Sequence, residues 1–394
     1  MTLPLAGIRI IEASTVLAAP LSASLLGEFG AEVIKVEEPH RGDAARGFPP
    51  IVDGVSGSFR VTNRSKKSVT IDLRSPEGAA LLVDLCRDAD ALVINYRPST
   101  LERWGLTADR LHEANPELVV LHLTAFGLGG PYSDHPGFGR VAEAFAGLTH
   151  ITGEPDGPPY FPGYPIADGM GGIWGAFLLM VALMHRRDTG EGQLVDLALY
   201  EPILRMMEDF VVRYDLTGEV KGRSGNDQPH SCPNGIFPTA DGQYVVLPAS
   251  TPNMWGRLLE LLDDPDGELA QLDTAQKRIA VRPRINAVVT EMTSRYPRDE
   301  LIALLRDRGI ACGTVNSVAD ICADAHIAER GNLVRVADPD LGEILVQAPI
   351  GRFSTIETVV GSGPRLGEHT DEVLLSLPGM TVERLAELQR AGVV

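Results

Sequence analysis

The stretch that decides the fold is residues 8–37, IRIIEASTVLAAPLSASLLGEFGAEVIKVE. Its two ends, Ile8–Glu12 and Ala31–Glu37, have the apolar residues of buried strands. Between them, Leu17–Phe29 has the apolar spacing of a helix and is followed by Gly30, the residue type that commonly ends one. Because a strand, a helix and a second strand in succession form a crossover, we predict that the two strands are parallel.

The same alternation continues along the chain. Further strands are predicted at Ser68–Leu73, Ala91–Tyr96 and Leu118–Thr124, and helices at Pro76–Arg87 and Ala108–Ala114. Strands that alternate with helices in this way predict a Rossmann-like α/β fold with a parallel sheet. The turn after the first strand lacks the Gly-x-Gly-x-x-Gly fingerprint, so the sequence gives no support for a dinucleotide cofactor.

Further along, the pattern changes to that of a smaller α+β domain. A long amphipathic helix is predicted at Glu201–Leu216, and Asp241-Gly242 indicates a hairpin between Gly235–Pro238 and Tyr244–Pro248. The segment before this hairpin is rich in Gly, Pro, Asn and Ser, which is typical of a linker. We therefore expect a large Rossmann-like domain that begins with residues 1–215, a linker at 216–234, a small α+β domain at 235–320, and a linker with the C-terminal part of the large domain at 321–394.

Composition narrows the classes of function. The 394 residues carry 53 acidic and 35 basic side chains, and the formal charge of −18 argues against nucleic acid or an anionic membrane as a partner. Four scattered cysteines and the absence of a signal-peptide pattern lead us to expect a cytoplasmic protein with reduced thiols. The apolar run near 173–184 is shorter than a bilayer span, and no His or Cys spacing indicates a metal site.

One carboxylate stands at the start of the longest apolar segment. In YPIADGMGGIWG, residues 164–175, Asp168 precedes the helix predicted at 169–186 and has glycines beside it. Asp commonly caps a helix N-terminus, where its carboxylate accepts the free N–H groups. The alternative is a nucleophile at the mouth of a buried helix, kept charged by the helix dipole. The residues alone leave both interpretations open.

A basic cluster is the other candidate for chemistry. The motifs Gly-x-Ser-x-Gly and His-Glu-x-x-His and the Walker phosphate loop are absent, which disfavours serine hydrolases, zinc hydrolases and P-loop enzymes. Ten Lys and Arg residues lie between positions 41 and 103 of this acidic chain. Arg74 and Arg97 follow predicted strands, and open α/β sheets bind ligands at the carboxyl ends of their strands. Guanidinium groups there suit phosphates, although the same residues also suit a solvated surface.

Several segments carry a resemblance that covers nearly the whole chain. Together and in this order, they resemble the class III CoA-transferases, the family of formyl-CoA:oxalate and carnitine CoA-transferases. The segments are FGAEVIKVE (29–37), NRSKKSVTIDL (63–73), NYRP (95–98), ERWG (102–105), TGEPDGPP (152–159), Ala167-Asp168, RDTGEGQ (187–193) and LGEHTDEVL (366–374).

The resemblance implies a role for Asp168. In this family the matching aspartate attacks an acyl-CoA thioester, and an acyl-aspartyl anhydride and then an aspartyl-CoA thioester form. The resemblance implies that the substrates are an acyl-CoA and a carboxylic acid and that CoA acts as a substrate, with no permanently bound cofactor. It also implies an interlocked homodimer. Our substrate expectation is succinyl-CoA as donor and a dicarboxylate-type acceptor, with Arg140 and Arg223 as candidate partners of a second carboxylate.

The resemblance also implies binding residues. Two arginines, Arg41 and Arg46, are candidates to replace an arginine that oxalate-type members have at position 38. Val16 stands where those members have Gln, which makes oxalate an unsuitable substrate. The expected CoA contacts are Val16, Ile71, Asp72, Leu73, Arg74, Asn95, Tyr96, Arg97 and Arg103, with Arg41 and Arg46, and the expected substrate pocket contains Phe138, Gly139 and Arg140.

Two other functions fit parts of the same pattern. The α-methylacyl-CoA racemases share the aspartate but use a His-Asp pair upstream as well, and Phe138 and Gly139 stand at those positions here. Because phenylalanine cannot move a proton, the racemase hypothesis lacks its base. A CoA-binding protein without activity is the remaining alternative; it would keep the arginines but would not need Asp168.

Overall fold

The computed structural model describes residues 3–394, which fall into two compact units. The large unit comprises residues 3–148, 161–219 and 328–394, and the small unit comprises residues 149–160 and 220–327. Both ends of the described chain therefore belong to the large unit. The short segment 149–160, which the sequence pattern did not separate from the large domain, packs with the small unit.

The bounds of the elements are as follows. The strands are β1 (Arg9–Ala13), β2 (Glu32–Glu37), β3 (Ile51–Val52), β4 (Val55–Ser56), β5 (Lys66–Thr70), β6 (Ala91–Ile94), β7 (Val119–Thr124), β8 (Gln193–Ala198), β9 (Gly235–Pro238), β10 (Tyr244–Leu247), β11 (Gly313–Thr314), β12 (Leu333–Asp338) and β13 (Gly342–Gln347). The helices are α1 (Ala18–Gly27), α2 (Gly57–Thr62), α3 (Pro76–Cys86), α4 (Pro98–Trp104), α5 (Ala108–Ala114), α6 (Gly139–Phe145), α7 (Leu148–Ile151), α8 (Ile166–Thr189), α9 (Tyr200–Met206), α10 (Glu208–Thr217), α11 (Pro252–Leu259), α12 (Ala275–Ala280), α13 (Arg282–Thr293), α14 (Arg298–Asp307), α15 (Val318–Ala323), α16 (Ala325–Glu329), α17 (Thr370–Leu375) and α18 (Val382–Arg390).

Six strands form the sheet of the large unit, and every neighbouring pair in it is parallel. Their spatial order is β5-β2-β1-β6-β7-β8, which confirms the predicted parallel α/β fold. Counted along the chain, this order is 3-2-1-4-5-6, the order of doubly wound nucleotide-binding sheets. The order reverses between β1 and β6, so a crevice opens beyond the carboxyl ends of these two strands.

Apolar clusters cover both faces of this sheet. Successive residues of a strand point to opposite faces, so Ile10 of β1 packs on the face that holds α1 and α8, and Ile11 packs on the face that holds α3. Both side chains are completely buried. Burial on both faces explains why the strands of residues 8–37 are nearly continuous apolar runs and do not alternate with polar residues.

Helix α8 packs against α1 through small residues. A Cβ added at Gly172 would lie 2.7 Å from Leu21 Cδ2, and one added at Gly175 would lie 2.2 Å from Ser22 Oγ. These distances are shorter than real carbon contacts, so the two helices approach this closely only because glycine has no side chain. Gly172 and Gly175 therefore have a packing role at the α1 contact.

The length of α8 differs from the sequence-based expectation. The helix has 24 residues, Ile166–Thr189, and extends three residues beyond each end of the predicted 169–186. In the described part of the chain it is the helix that has the length and hydropathy of a membrane span, and 44% of that apolar window is buried inside the protein. Core helices of soluble proteins have the same properties, and the buried face of α8 against α1 is of that kind.

Helix boundaries near residue 207 also differ. The single helix predicted at Glu201–Leu216 is two helices, α9 and α10, because Met207 leaves the helical conformation with φ −91° and ψ 35°. Its side chain lies against Gly147, where a Cβ would be 3.2 Å from Met207 Cε. Packing of one side chain into the core therefore breaks a helix that amphipathic spacing alone predicts to be continuous.

The small unit has its own sheet and core. The predicted hairpin is confirmed, since β9 and β10 are antiparallel and pair Val246 with Ile236. The Arg278 guanidinium is fully buried there and donates hydrogen bonds of 2.7, 2.9 and 2.6 Å to the carbonyl oxygens of Cys232, Leu272 and Ser250. Satisfied donors make a buried guanidinium tolerable, so this arginine is structural.

Alanine substitutions at two helical glycines are predicted to change the free energy of unfolding in opposite directions, because one glycine lies at the α1–α8 contact and the other has open space beside it. Gly172→Ala lowers the free energy of unfolding by about 1–3 kcal/mol, because the new methyl group overlaps Leu21. Gly256→Ala in α11 raises it by up to about 1 kcal/mol, because nothing lies within 4 Å of the new methyl group and alanine favours helix. Urea unfolding of both variants measures the effects, and stabilisation by Gly172→Ala would contradict the close helix contact.

Candidate functional site

A cavity of about 410 Å³ opens at the crevice between β1 and β6. Its volume lies in the range of ligand pockets, and its position is where doubly wound sheets bind ligands. Asp168 and Arg97 are the charged side chains in its wall. The lining residues are Thr15, Val16, Leu17, Ala18, Asn95, Tyr96, Arg97, Thr100, Leu123, Thr124, Ala125, Pro136, Gly137, Phe138, Asp168 and Leu199.

Asp168 enters this cavity from the first turn of α8. The N-cap interpretation is wrong, because the helix begins at Ile166 with Pro165 as its N-cap, and Asp168 is the third helical residue. The Ala167 N–H instead donates to Glu143 Oε1 at 3.2 Å. Within residues 3–394 no group donates a hydrogen bond to the Asp168 carboxylate, which leaves its oxygens open to the cavity.

The environment of Asp168 makes it an unusually basic carboxylate. Burial and the negative charge of Glu143 raise the pKa of Asp168 to about 6, and the Arg140 guanidinium only partly opposes this rise. The net shift therefore has the opposite direction to the one that the helix N-terminus alone would give. Even so, the carboxylate is mostly ionised at pH 7, and it is more basic than a solvated aspartate.

Gly139 leaves the space that this carboxylate occupies. A Cβ built on Gly139 would lie 2.0 Å from Asp168 Oδ2, so any side chain at position 139 would displace Asp168. The aspartate that the racemases have at this position therefore has no room here. Phe138, at the position of the racemase histidine, lines the cavity with 68% of its surface exposed. Both observations weaken the racemase alternative.

Another part of the cavity wall is a strained turn after β1. Val16 has φ 75°, a conformation that costs a β-branched residue about 1–3 kcal/mol. Its N–H donates to Asp43 Oδ1 at 2.9 Å, and the neighbouring Thr15 exchanges two hydrogen bonds with the Asn95 side chain. The two strand ends at the crevice are therefore joined by side chains, and the turn is held in place despite its strain.

A buried charge network fixes Asp43. Lys35 Nζ lies 2.7 Å from Glu12 Oε1 and 2.8 Å from Asp43 Oδ2, and both side chains of each pair are almost completely buried. Lys66 Nζ lies 2.5 Å from the other oxygen of Glu12. Burial and the nearby Lys35 charge together lower the pKa of Lys66 to about 8, although the Glu12 carboxylate opposes this shift. Although burial opposes it, the surrounding carboxylates raise the pKa of Lys35 above its usual value.

The predicted site residues divide into those that meet at the cavity and those that do not. Val16, Asn95, Tyr96, Arg97, Phe138 and Asp168 meet there. Ile71 and Leu73 are buried in the core beneath. The Arg74 guanidinium pairs with Asp72 and Glu38 on the surface, and Arg103 contacts Thr100 Oγ1 at 3.4 Å. Arg41 is exposed. Whether these outer residues bind CoA stays a prediction.

Two of the predicted arginines already have partners within the chain. The Arg46 guanidinium donates two 2.7 Å hydrogen bonds to Glu37 and lies 3.8 Å from the centre of the Phe59 ring. Arg140 Nη1 donates to Glu143 Oε2 at 3.0 Å. These contacts give both residues a structural role, and a binding role for them stays a prediction.

Sequence reasoning missed Glu143 and Asp43. The signal for Glu143 was an acid in the apolar run Val-Ala-Glu-Ala-Phe, four residues after Gly139 and hence on the same face of α6. The pair Gly42-Asp43 matches the family pattern, but the structural role of Asp43 was not inferred, because its partners Val16 and Lys35 are distant in the sequence. Among the described residues, no group of three His, Cys, Asp or Glu side chains is placed to hold a metal ion.

The chain is similar to known proteins along its whole length. A family model described as CoA-transferase family III matches residues 5–370. The beta subunit of succinyl-CoA–L-malate CoA-transferase of Chloroflexus aurantiacus is 39% identical, over 100% of this chain and 98% of that protein. Succinate–glutarate CoA-transferase of Agrobacterium fabrum is 33% identical, over 97% of each. A CAIB/BAIF family protein from Brucella suis has a TM-score of 0.86 at 31% identity, over 96% of this chain and 100% of that chain.

The contact between Gly139 and Asp168 predicts a selective loss of activity. Gly139→Ala lowers kcat by at least about 100-fold, because the methyl group displaces the carboxylate from its place in the cavity. Gly129→Ala is the matched control, since nothing lies within 4 Å of its new methyl group. The measurement is steady-state turnover of an acyl-CoA. Equal activity of the two variants would show that Asp168 does not need its present position.

Proposed function

This chain belongs to CoA-transferase family III and is a CoA-transferase, and we propose that it moves CoA from succinyl-CoA to another carboxylic acid through covalent intermediates on Asp168. The observation that carries this proposal is the Asp168 carboxylate, which is open to the cavity at the sheet crevice, unpaired by any hydrogen-bond donor of the described chain, and more basic than usual. No permanently bound cofactor takes part in the proposed reaction.

The proposed reaction begins with attack on the donor. An Asp168 oxygen adds to the thioester carbonyl carbon, the carbon–sulfur bond breaks, and CoA leaves as a thiolate, which gives a mixed anhydride. The thiolate then attacks the Asp168 carbonyl carbon, which releases the donor acid and forms an aspartyl-CoA thioester. The acceptor carboxylate repeats these steps in reverse, so the enzyme returns to its starting state with a new CoA ester.

The position of the cavity supports this chemistry. A thioester carbonyl beside Asp168 would also lie near the start of α1, because Leu17 and Ala18 line the same cavity. Backbone N–H groups in the first turn of a helix have no partner within the helix and stabilise negative charge. Negative charge develops on the carbonyl oxygen when the carboxylate adds, so the wall opposite Asp168 has suitable chemistry.

The substrates are proposed from the relatives and from charge. The names of three relatives pair succinyl-CoA with malate, citramalate or mesaconate, and the name of a fourth pairs succinate with glutarate. The acids in these names are all dicarboxylic. We propose that the acceptor of the present chain is also a dicarboxylic acid.

Arg97 lines the cavity and makes one long contact, of 3.3 Å, to the Asp134 carbonyl oxygen. With Arg74 and Arg103 it supplies the positive charge that we propose for the CoA phosphates.

We also propose that two copies of the chain assemble in the cytoplasm. Large apolar side chains are exposed on one face of α8 at helical spacing: Ile173, Phe177, Val181 and Met184. Each exposes about half of its surface, and an apolar stripe of this kind is typical of a surface that another chain covers. The relatives in Chloroflexus aurantiacus carry the words alpha subunit and beta subunit in their names, which is compatible with assembly of two chains of this family.

The proposed reaction is tested by one assay in deuterated water. The protein is mixed with succinyl-CoA, a 2-methylacyl-CoA and a panel of mono- and dicarboxylic acids, and each CoA ester is followed by mass spectrometry. We expect a new dicarboxylic ester without solvent deuterium. Activity should fall at least about 1,000-fold in Asp168→Asn, because the nucleophile is lost, and should persist in Asp188→Asn, which removes the same charge from the exposed end of α8.

Two other results would contradict the proposal. Deuterium in an unchanged acyl-CoA, without a new ester, would mean racemisation. Binding of succinyl-CoA with neither transfer nor exchange, for every acid of the panel, would favour a binding protein over a dicarboxylate CoA-transferase.

A further inference from the structure

Glu143 is a completely buried carboxylate that takes no direct part in the proposed reaction. It lies on α6 four residues after Gly139, so the helix face that contacts Asp168 also carries Glu143. Its Oε1 accepts the Ala167 N–H at 3.2 Å, one residue before Asp168. Glu143 therefore satisfies a free N–H in the first turn of α8, as a helix cap does, although it belongs to a different helix, α6.

Arg140 supplies the counter-charge and extends this contact. Its Nη1 donates to Glu143 Oε2 at 3.0 Å and to the carbonyl oxygen of Pro162 at 2.7 Å. The guanidinium also lies 5.0 Å from the centre of the Phe161 ring. The ion pair therefore connects α6 to two parts of the chain. Arg140 contacts the segment that precedes α8, and Glu143 contacts the first turn of α8, which carries Asp168.

We propose that Glu143 is a positioning residue for Asp168: it holds the first turn of α8, and its fixed negative charge makes the Asp168 carboxylate a stronger nucleophile. This inference rests on the proposed nucleophilic role of Asp168. The Arg140 guanidinium limits how strongly Glu143 acts on Asp168. It pairs with the Glu143 carboxylate, and its positive charge also attracts the Asp168 carboxylate.

The electrostatics around Asp168 fit this division of roles. The pKa of Asp168 is raised by burial first and by the Glu143 charge second, while Arg140 lowers it. From the segment before α8, Tyr164 faces the same carboxylate, and burial and the Asp168 charge raise the pKa of its phenol. Arg97 lines the cavity from the turn after β6, and the turn after β1 contributes uncharged residues there. Glu143 is thus the buried anion beside the nucleophile.

The expected consequence is a shift in the pH dependence of kcat/KM. Glu143→Gln keeps an oxygen for the Ala167 N–H but removes the charge, so the acidic limb, where Asp168 becomes ionised, moves to lower pH. If the pKa of Asp168 falls from about 6 to about 5, the ratio of the activity at pH 5 to the activity at pH 8 becomes about fivefold larger than in the wild type. At pH 8, the less basic carboxylate reacts about threefold more slowly, if it follows the dependence known for thiolates.

Arg140→Gln is the complementary variant, and its effect has the opposite sign. Loss of the guanidinium removes an attraction that favours the Asp168 anion, so the acidic limb moves to higher pH. Glu143→Asp restores the charge on a shorter side chain and should return the limb toward the wild-type position. Glu28→Gln is the matched control, because Glu28 is also a buried acid paired with an arginine, Arg64, but outside the cavity.

The test is the pH profile of kcat/KM for CoA transfer from succinyl-CoA, between pH 4.5 and 8.5, for the wild type and these four variants. The substrate is the same throughout, so its own ionisation cancels in the comparison. We expect shifts of opposite sign for Glu143→Gln and Arg140→Gln, and none for Glu28→Gln. If Glu143→Gln does not fold, the upward shift in Arg140→Gln still tests the charge effect.

Two outcomes would overturn the inference. An unmoved acidic limb in both Glu143→Gln and Arg140→Gln, with only a uniform loss of rate, would mean that the ion pair is structural. If the acidic limb of the pH profile shifts by the same amount in Glu28→Gln, the shift reflects general destabilisation of the protein and not the charge beside Asp168. Failure of the proposed function is a separate result, because it would appear as undiminished CoA transfer in Asp168→Asn.

Discussion

The turn that forms one wall of the site depends on the buried ion pair between Lys35 and Asp43. Lys35 comes from the second strand of the sheet and Asp43 from the segment that follows it, and neither side chain reaches water. Three acids and three bases form the surrounding network: Glu12, Glu37 and Asp43 with Lys35, Lys66 and Arg46. Because each charge has an opposite partner, burial is tolerable, but removal of any one leaves an uncompensated charge and costs about 3–5 kcal/mol.

This network determines one wall of the cavity. Asp43 receives the Val16 N–H and so holds a β-branched residue in a left-handed conformation that it would not otherwise adopt. The other wall is determined independently by Glu143 and Arg140, which hold the start of α8. The sheet order then brings the two walls together, since both lie at the place where the order of the strands reverses. A carboxylate with a raised pKa and a fixed backbone turn thus line the same cavity.

The sequence predicts much of this fold, because most of it follows from local pattern. The strand–helix–strand unit at 8–37 and the hairpin at β9–β10 are found as predicted, since apolar periodicity and turn residues act over short distances. The order of the six strands and the break at Met207 were not predicted, because both depend on packing between distant residues. Asp168 was singled out from the local sequence, and its role was inferred by resemblance to a family. Its neighbour Glu143 was not, because its role arises only when α6 and α8 meet.

We propose that Asp168 becomes covalently bound to CoA during turnover. Peptide mapping by mass spectrometry, after the protein is mixed with succinyl-CoA and quenched in acid, tests this step. We expect a CoA adduct on the peptide that contains Asp168, which disappears when an excess of acceptor acid is added and does not form in Asp168→Asn. An adduct on another residue, or full transfer activity in Asp168→Asn without any adduct, would contradict it.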